Sequence, residues 1–244
     1  MAKQWLISDL HLAIERPDTL ALFEHFLATQ PAAGDRLFIL GDLFDAWVGD
    51  DDDDALAVQV RAALRAASDR GVALFIQRGN RDFLIGRRLT RDCGARLLPD
   101  CFVTGVAGQP ALLMHGDLLC TDDVDYQRMR RKFRSPIFRW LLLRKPLPER
   151  RRIAVEYRRR SGEQTALKPQ DIMDVNPDTV VRYLEKYRVH RLVHGHTHRP
   201  AIHRHPLADG SIAERIVLPE WHAEHAVAWI DDGASLKQFA VSAG

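Results

Sequence analysis

Leu192-Val193-His194-Gly195-His196-Thr197-His198-Arg199-Pro200 is a short apolar run that breaks on a glycine into alternating histidines. An isolated H-x-H most often marks surface histidines in a polar loop, because short motifs match by chance. Here the design recurs. Three earlier apolar runs also end on a glycine beside a metal-competent side chain, at Gly41-Asp42, Gly79-Asn80 and His115-Gly116-Asp117. Buried strands that repeatedly run out into polar chemistry point to a layered α/β fold, in which ligands bind outside the carboxyl ends of the strands.

Working outward, Gln4-Trp5-Leu6-Ile7 reads as a buried strand leading into Ser8-Asp9-Leu10-His11, with Asp9 and His11 on one side of an extended chain. Leu20, Phe23, Phe26 and Leu27 keep a helical period between Pro17 and Gln30, and a second apolar helix is expected from Ala55 to Ser68. Strands are expected at Leu37–Leu40, Ala73–Gln77, Phe102–Thr104, Ala111–Met114 and Arg191–Val193, with helices at Ile85–Cys93 and Thr179–Tyr187. The tail adds strands near Arg215–Leu218, Ala226–Ile230 and Leu236–Val241 without helices between them, so a mixed or partly antiparallel sheet is expected.

The 244 residues suffice for one large domain or two small ones with a substantial core. Met1 leads directly into Trp5-Leu6-Ile7, so no signal peptide is expected, and no apolar run approaches the roughly 20 residues of a membrane span. Cys93, Cys101 and Cys120 match no zinc spacing and read as reduced thiols of a cytosolic protein. The net charge of +2 hides a segregation: between Arg128 and Arg160 stand fourteen basic residues against two acids, Glu149 and Glu156. The rest of the chain is therefore net acidic.

Collected, the clusters offer Asp9, His11, Asp42, Asn80, His115, His196 and His198, which is four imidazoles and three oxygen donors. One octahedral ion would be overfilled once water or substrate joined. Two ions sharing Asp42 would each keep open positions, and mixed imidazole, carboxylate and amide donors suit Mn²⁺, Fe or Zn²⁺ better than Ca²⁺. Such a pair clamps the attacking and leaving oxygens of a phosphoryl displacement.

Asp9-x-His11, Gly41-Asp42, Gly79-Asn80-Arg81-Asp82, His115-Gly116-Asp117 and Gly195-His196-x-His198 resemble, in order, the five blocks of the calcineurin-like metallophosphoesterases. Within that family, Ser8–Leu12, Gly41–Asp51 and Gly79–Leu84 are similar to the branch that hydrolyses the diphosphate of UDP-2,3-diacylglucosamine in lipid A biosynthesis. The resemblance implies a sandwich of mixed sheets flanked by helices, with residues 1–127 and 169–244 as core and 128–168 as a basic helical lid. It implies two Mn²⁺ ions per chain, the first held by Asp9, His11, Asp42 and His198, the second by Asp42, Asn80, His115 and His196. It further implies substrate contacts from Asn80, Arg81, Asp123, Ser161, Thr165, Lys168 and His196, with Gln164 an alternative to Thr165. The products would be UMP and 2,3-diacylglucosamine 1-phosphate, released by an activated water.

The wider calcineurin-like family that the chain resembles usually has a histidine after the asparagine, where this chain has Arg81. A phosphate-monoester leaving group, with a pKa near roughly 6, departs as an anion and needs charge neutralisation rather than a proton. A planar guanidinium supplies that in bidentate form. Asp42, Asn80, Arg81 and His196 are thus the expected catalytic set.

In the basic segment Phe133, Ile137, Phe138, Trp140 and Leu141–Leu143 interleave with arginines, and Pro146 and Pro148 divide it. That pattern fits an interfacial helix on anionic lipid better than a nucleic-acid surface. A helical hairpin packed on the core, its arginines solvated, reads the same way; the two agree if the hairpin is a lid whose inner side takes acyl chains. The expected location is cytoplasmic, peripheral on the inner membrane. The acidic run Asp50–Asp54 reads as a solvated loop or helix N-terminus, with Asp50 available to support the ligands and His194 to buttress them. His203, His205, His222 and His225 read as ordinary polar residues. The rivals are another phosphodiesterase or nuclease on the same scaffold, and a non-catalytic binder of membranes or phosphate polymers.

Overall fold

A computed structural model describes residues 2–167 and 174–242, with backbone alone for residues 160–167. Strands β1 (Gln4–Ile7), β2 (Arg36–Leu40), β3 (Ala73–Gln77) and β4 (Ala95–Leu97) pair in parallel. Helices α1 (Pro17–Thr29), α2 (Ala55–Asp69) and α3 (Arg87–Asp92) are the crossovers. Antiparallel β10 (Ala226–Asp231) and β11 (Leu236–Val241) complete a six-stranded sheet on the β1 side. A second sheet has the order β5-β6-β7-β9-β8, formed by Phe102–Val106, Gln109–Leu113, Arg191–His194, Ile212–Val217 and Ile202–Pro206 respectively. In it β6, β7 and β9 run parallel and the two edges antiparallel. Both sheets are mixed, as expected.

Period-two alternation assembles the layers. Leu6, Phe38, Leu113 and Val193 point into the core between the sheets, with Trp229 and Ile216. Their neighbours Ile7 and Ile39 face the opposite way onto Phe23 and Phe26 of α1 and Val60 and Leu64 of α2. Leu112 and Leu192 face outward onto Val180 and Leu184 of the last helix, Pro177–Tyr187. The result is helices, sheet, sheet and helix. Asp54 caps α2 by accepting from the Ala57 N–H at 2.7 Å, an interaction worth about 1 kcal/mol.

Two strands escape the sequence reading. β4 has three residues, too few to show a period, and β8 is an exposed edge of Ile202-His203-Arg204-His205-Pro206 whose polar composition suits solvent rather than a core. The basic segment is also more divided than a hairpin: α4 (Val124–Arg134), α5 (Pro136–Leu143) and α6 (Leu147–Leu167) are broken before Pro136 and around Pro146. Phe133, Phe138, Leu142, Ile153 and Tyr157 turn inward toward the loops after β2 and β3, whereas Ile137 and Trp140 stay 72% and 54% exposed.

Candidate metal centre

The carboxyl ends of β1, β2, β3, β6 and β7 carry all seven expected donors into one region. Five of them hold left-handed backbone: Asp9 at φ 54°, His11 at 47°, Asp42 at 49°, His196 at 68° and His198 at 53°. Ala107 and Arg188 are the other described non-glycine residues there. Such conformations cost of the order of 1–3 kcal/mol each and persist where surrounding structure fixes them. Here the Asp9 and His11 amides donate to the Gly41 and Asp42 carbonyls at 3.2 and 3.0 Å, and the Gly195 amide to the His115 carbonyl at 2.9 Å. Two glycines make room. A Cβ on Gly41 would lie 2.6 Å from His115 Nδ1, and one on Gly195 would strike the Asp9 carboxylate.

Two groups of donors converge, Asp9 with His11 and His198, and Asp9 with Asp42 and His115. His11 Nε2 lies 3.3 Å from His198 Nε2, and Asp9 Oδ1 lies 3.4 Å from the latter. Asp42 Oδ2 stands between the groups, 3.9 Å from His11 Nε2 and 3.7 Å from His115 Nε2. Asn80 Oδ1 is 2.9 Å from His115 Nε2. The His196 ring sits edge-on to His115 at 5.0 Å, beside rather than within either tight group.

The donors fit divalent metal. Asp9 Oδ1 is buried and has no hydrogen-bond partner, a cost of about 1–3 kcal/mol for an unsatisfied acceptor, more when charged. The other oxygen accepts from Ser8 Oγ at 2.6 Å and the His196 amide at 2.9 Å, so the carboxylate is aimed. His115 donates from Nδ1 to the Leu40 carbonyl at 2.9 Å, so in the neutral ring Nε2 presents a lone pair toward another acceptor, Asn80 Oδ1, 2.9 Å away. A cation between such acceptors resolves both conflicts. Donors on one ion with bonds of about 2.0–2.2 Å lie roughly 3–3.5 Å apart, close to the separations seen.

Charge is distributed to match. Burial, reinforced by the charge of Asp9, pushes the Asp42 carboxyl up to about 6. Burial alone would raise Asp9 too, but the His198 ring 3.4 Å away, with those of His115 and His11, holds it below the usual carboxylate range. Burial pushes His11 down to about 4 and His196 down to about 3, favouring the neutral form that ligates. His198 goes the other way, because the carboxylates of Asp9 and Glu220 beside it overcome burial and lift it to about 10. Two buried carboxylates thus draw positive charge into the site.

A polar cavity of about 260 Å³ opens over these groups, lined by Asp42, Asn80, Arg81, Asp123, Tyr126 and His196 among others. A second cavity of about 90 Å³ lies between the inserted helices and the core, lined by Trp47, Phe83, Phe133, Phe138, Ile153 and Tyr157. Asn80 and Arg81 line both. The Arg81 amide donates to Asp42 Oδ1 at 2.8 Å, and its guanidinium makes no hydrogen bond or ion pair among the described residues. Asp123 caps α4 through the Tyr126 N–H at 3.0 Å. Ser161 and Thr165 lie on α6 where only backbone is described, as does Gln164, and Lys168 lies outside the described residues.

Several neighbours of the site were given no role by the sequence, Glu220 among them without any motif to mark it. Glu220 meets His198 Nδ1 at 2.8 Å. Asp45 meets Arg158 of α6 at 2.6 Å. Asp117 is buried against Arg130 Nε of α4 at 2.6 Å, and Arg134 donates to the Arg78 carbonyl at 2.8 Å. Asp82 accepts from the Leu43 and Gly79 amides at 2.9 and 2.7 Å, bracing two of the ligand loops.

The acidic run does lead into a helix N-terminus, but most of it is ion-paired rather than simply solvated. Asp51 and Asp52 pair with Arg150 and Arg151 of α6, Asp53 with Arg61, and Asp54 caps α2. Asp50 does not support the ligands; it accepts from the Gly86, Arg88 and Leu89 amides at 2.9–3.1 Å and caps α3. The buried His194 ring makes no hydrogen bond to an expected ligand among the described residues; its Nδ1 lies 2.7 Å from the Gly195 carbonyl and its Nε2 3.1 Å from Arg215.

A family model described as calcineurin-like phosphoesterase matches residues 2–200. The chain is 47% identical over 225 residues to a protein of Edwardsiella ictaluri (strain 93-146) named UDP-2,3-diacylglucosamine hydrolase, covering 92% of this chain and 87% of that one. Similarly named proteins of Stutzerimonas stutzeri (strain A1501) and Escherichia coli O157:H7 are 44% and 49% identical. The first alignment spans 97% of this chain and 99% of the relative, the second 89% and 90%.

Proposed function

The chain belongs to the calcineurin-like phosphoesterase family and is a hydrolase, and from that premise we propose that its substrate is UDP-2,3-diacylglucosamine. Cleavage falls in the diphosphate and gives UMP and 2,3-diacylglucosamine 1-phosphate. The observation that carries this reading is the meeting of a polar and an apolar cavity at Asn80 and Arg81. A lipid-linked nucleotide needs both surfaces side by side, with phosphate at the boundary. The names of the relatives support the same substrate.

Asp9, His11, Asp42 and His198 would hold one divalent ion, and Asp42, Asn80, His115 and His196 a second, Mn²⁺ in this reading. When bound, the pair supplies Lewis acidity toward phosphoryl oxygens and a water acidic enough to act as nucleophile at neutral pH. Asn80 and His196 donate toward the charge developing on the transferring phosphoryl group, a contribution of about 2.7–4 kcal/mol per well-placed donor. Arg81, whose guanidinium makes no hydrogen bond or ion pair with a described residue, neutralises the departing phosphate. That phosphate needs no proton, so no acid is required at the position Arg81 holds. Asp123, Ser161, Thr165 and Lys168 complete the contacts to substrate, and the acyl chains enter the apolar cavity under α5 and α6.

Among the described residues no helix is long and apolar enough to cross a membrane. We place the enzyme on the cytoplasmic side of the inner membrane through the insertion. Exposed Ile137, Trp140 and Leu141 beside exposed Arg144 and Lys145 support this. The test is to incubate the protein with UDP-2,3-diacylglucosamine, with Mn²⁺ or with chelator, and to detect UMP. Metal-dependent UMP release is expected. Turnover of simple phosphodiesters without UMP release would replace this reading with a general phosphodiesterase.

A further inference from the structure

His198 and His115 are oriented by different means. The Nδ1–H of His115 is spent on a backbone carbonyl, that of Leu40. His198 Nδ1 meets a carboxylate instead, Glu220 Oε2 at 2.8 Å. Glu220 follows β9 on the segment Leu218–Trp221, which is tied into the site at both ends. The Leu218 amide donates to the His194 carbonyl at 2.7 Å and the Trp221 amide to the Asp9 carbonyl at 3.1 Å. Arg16 locks the carboxylate from the far side. It lies 3.5 Å from Glu220 Oε1 and donates to the Trp221 carbonyl at 2.6 Å.

We propose that Glu220 is a positioning residue of the metal centre, which holds His198 as the Nδ1–H form and aims its Nε2 lone pair at the point faced by Asp9 Oδ1 and His11 Nε2. A carboxylate behind a ligating histidine fixes the ring and makes the ligand nitrogen more basic, and losing such a partner typically costs 10–100-fold in metal affinity. The strengthening is local to one of the two ion positions, because the ring of His115 is held by backbone. Glu220 therefore sets the affinity of the Asp9/His11/His198 position alone. The inference rests on the metal centre proposed above.

The test is titration of metal-free protein with Mn²⁺ alone, followed by calorimetry and by the electron paramagnetic signal of free Mn²⁺. For Glu220→Ala one binding step is expected to weaken 10–100-fold while the other is unchanged and the melting temperature is kept. Glu220→Gln retains an oxygen that accepts from Nδ1–H and is expected to recover most of the lost affinity. In protein loaded with diamagnetic Zn²⁺, a downfield imidazole N–H proton assigned to His198 should be present in wild type and lost in Glu220→Ala. Equal affinities at both steps in wild type and Glu220→Ala overturn the inference while leaving the metal centre intact. Wild type that binds no Mn²⁺ overturns both.

Discussion

The ligand loops and the inserted helices are held by opposite means. At the strand ends much of the holding is done by backbone: the left-handed residues are fixed by amide–carbonyl bonds between adjacent loops, by amides donating to the buried Asp9 and Asp82 carboxylates, and by glycines that let the loops approach. The insertion is fastened by side chains reaching across the sequence. Arg150, only 3% exposed, binds Asp51 and donates to the Val48 carbonyl at 2.6 Å, Arg158 pairs with Asp45, and Arg130 bridges Asp100 and Asp117. The comparison separates rigidity from adjustability. A metal centre tolerates little displacement of its donors, whereas a cover over the proposed acyl pocket would have to let a bulky substrate in. The segregation of basic insertion from acidic core is partly this fastening, seen in sequence.

The largest effect should come from the loops. Asp42→Asn keeps the shape but removes the shared carboxylate, and turnover is expected to fall on the order of 10³-fold or more. Because burial and Asp9 already make that charge unfavourable, metal-free Asp42→Asn should melt no lower than wild type. Near-normal turnover would break the assignment. The next effect should be confined to the cover. Arg150→Ala leaves the Val48 carbonyl without its donor and is expected to cost about 1–3 kcal/mol. Hydrogen exchange should quicken in α5 and the start of α6 and not in β1 or β2. Loss of protection in those strands would show that the two regions are one cooperative unit.

A smaller change sharpens the role of the apolar pocket. Ala154→Leu adds bulk to a cavity of about 90 Å³, and steady-state kinetics should show KM for the diacylated substrate raised about tenfold with kcat little altered. A fall in kcat alone would place the effect on the loops instead. The smallest effect belongs to a residue in neither region. Burial works against the Asp35 carboxylate, yet N–H bonds from Lys3, Trp5 and Ala32 hold it below its ordinary value. Its contribution to stability is therefore complete above the unfolded value of roughly 3.9 and is lost as pH falls through the lower folded value. In acid melts, the stability gap between wild type and Asp35→Asn should narrow below about pH 4. A gap that is constant with pH would contradict the assignment.

Much of the centre was legible because its chemistry needs particular residue types at strand ends. Asp9, His11, Asp42, Asn80, His115 and His198 could be read singly and then together, and Arg81, proposed to meet the leaving group, was marked by its place after Asn80. Glu220 could not, being one acid in a tail of ordinary composition, brought to His198 by the pairing of β9 with β7. The same holds for Asp45 with Arg158 and Asp51 with Arg150, about a hundred residues apart, whose pairing depends on where the insertion lands. Hydrophobic alternation revealed the long strands. It had nothing to say of β8, an exposed edge whose residues answer to solvent. In the insertion the interleaving of apolar and basic residues was visible, but only packing separates Phe138 and Leu142 from Ile137 and Trp140.

The central claim is that the seven strand-end residues form a centre of two ions acting on a diphosphate. Adding Mn²⁺ in measured equivalents to metal-free protein, while UMP release from UDP-2,3-diacylglucosamine is followed, tests it most directly. No release without metal and a rise that saturates near two ions per chain are the expected result. Release that persists in chelator, or that saturates at one ion, would contradict it.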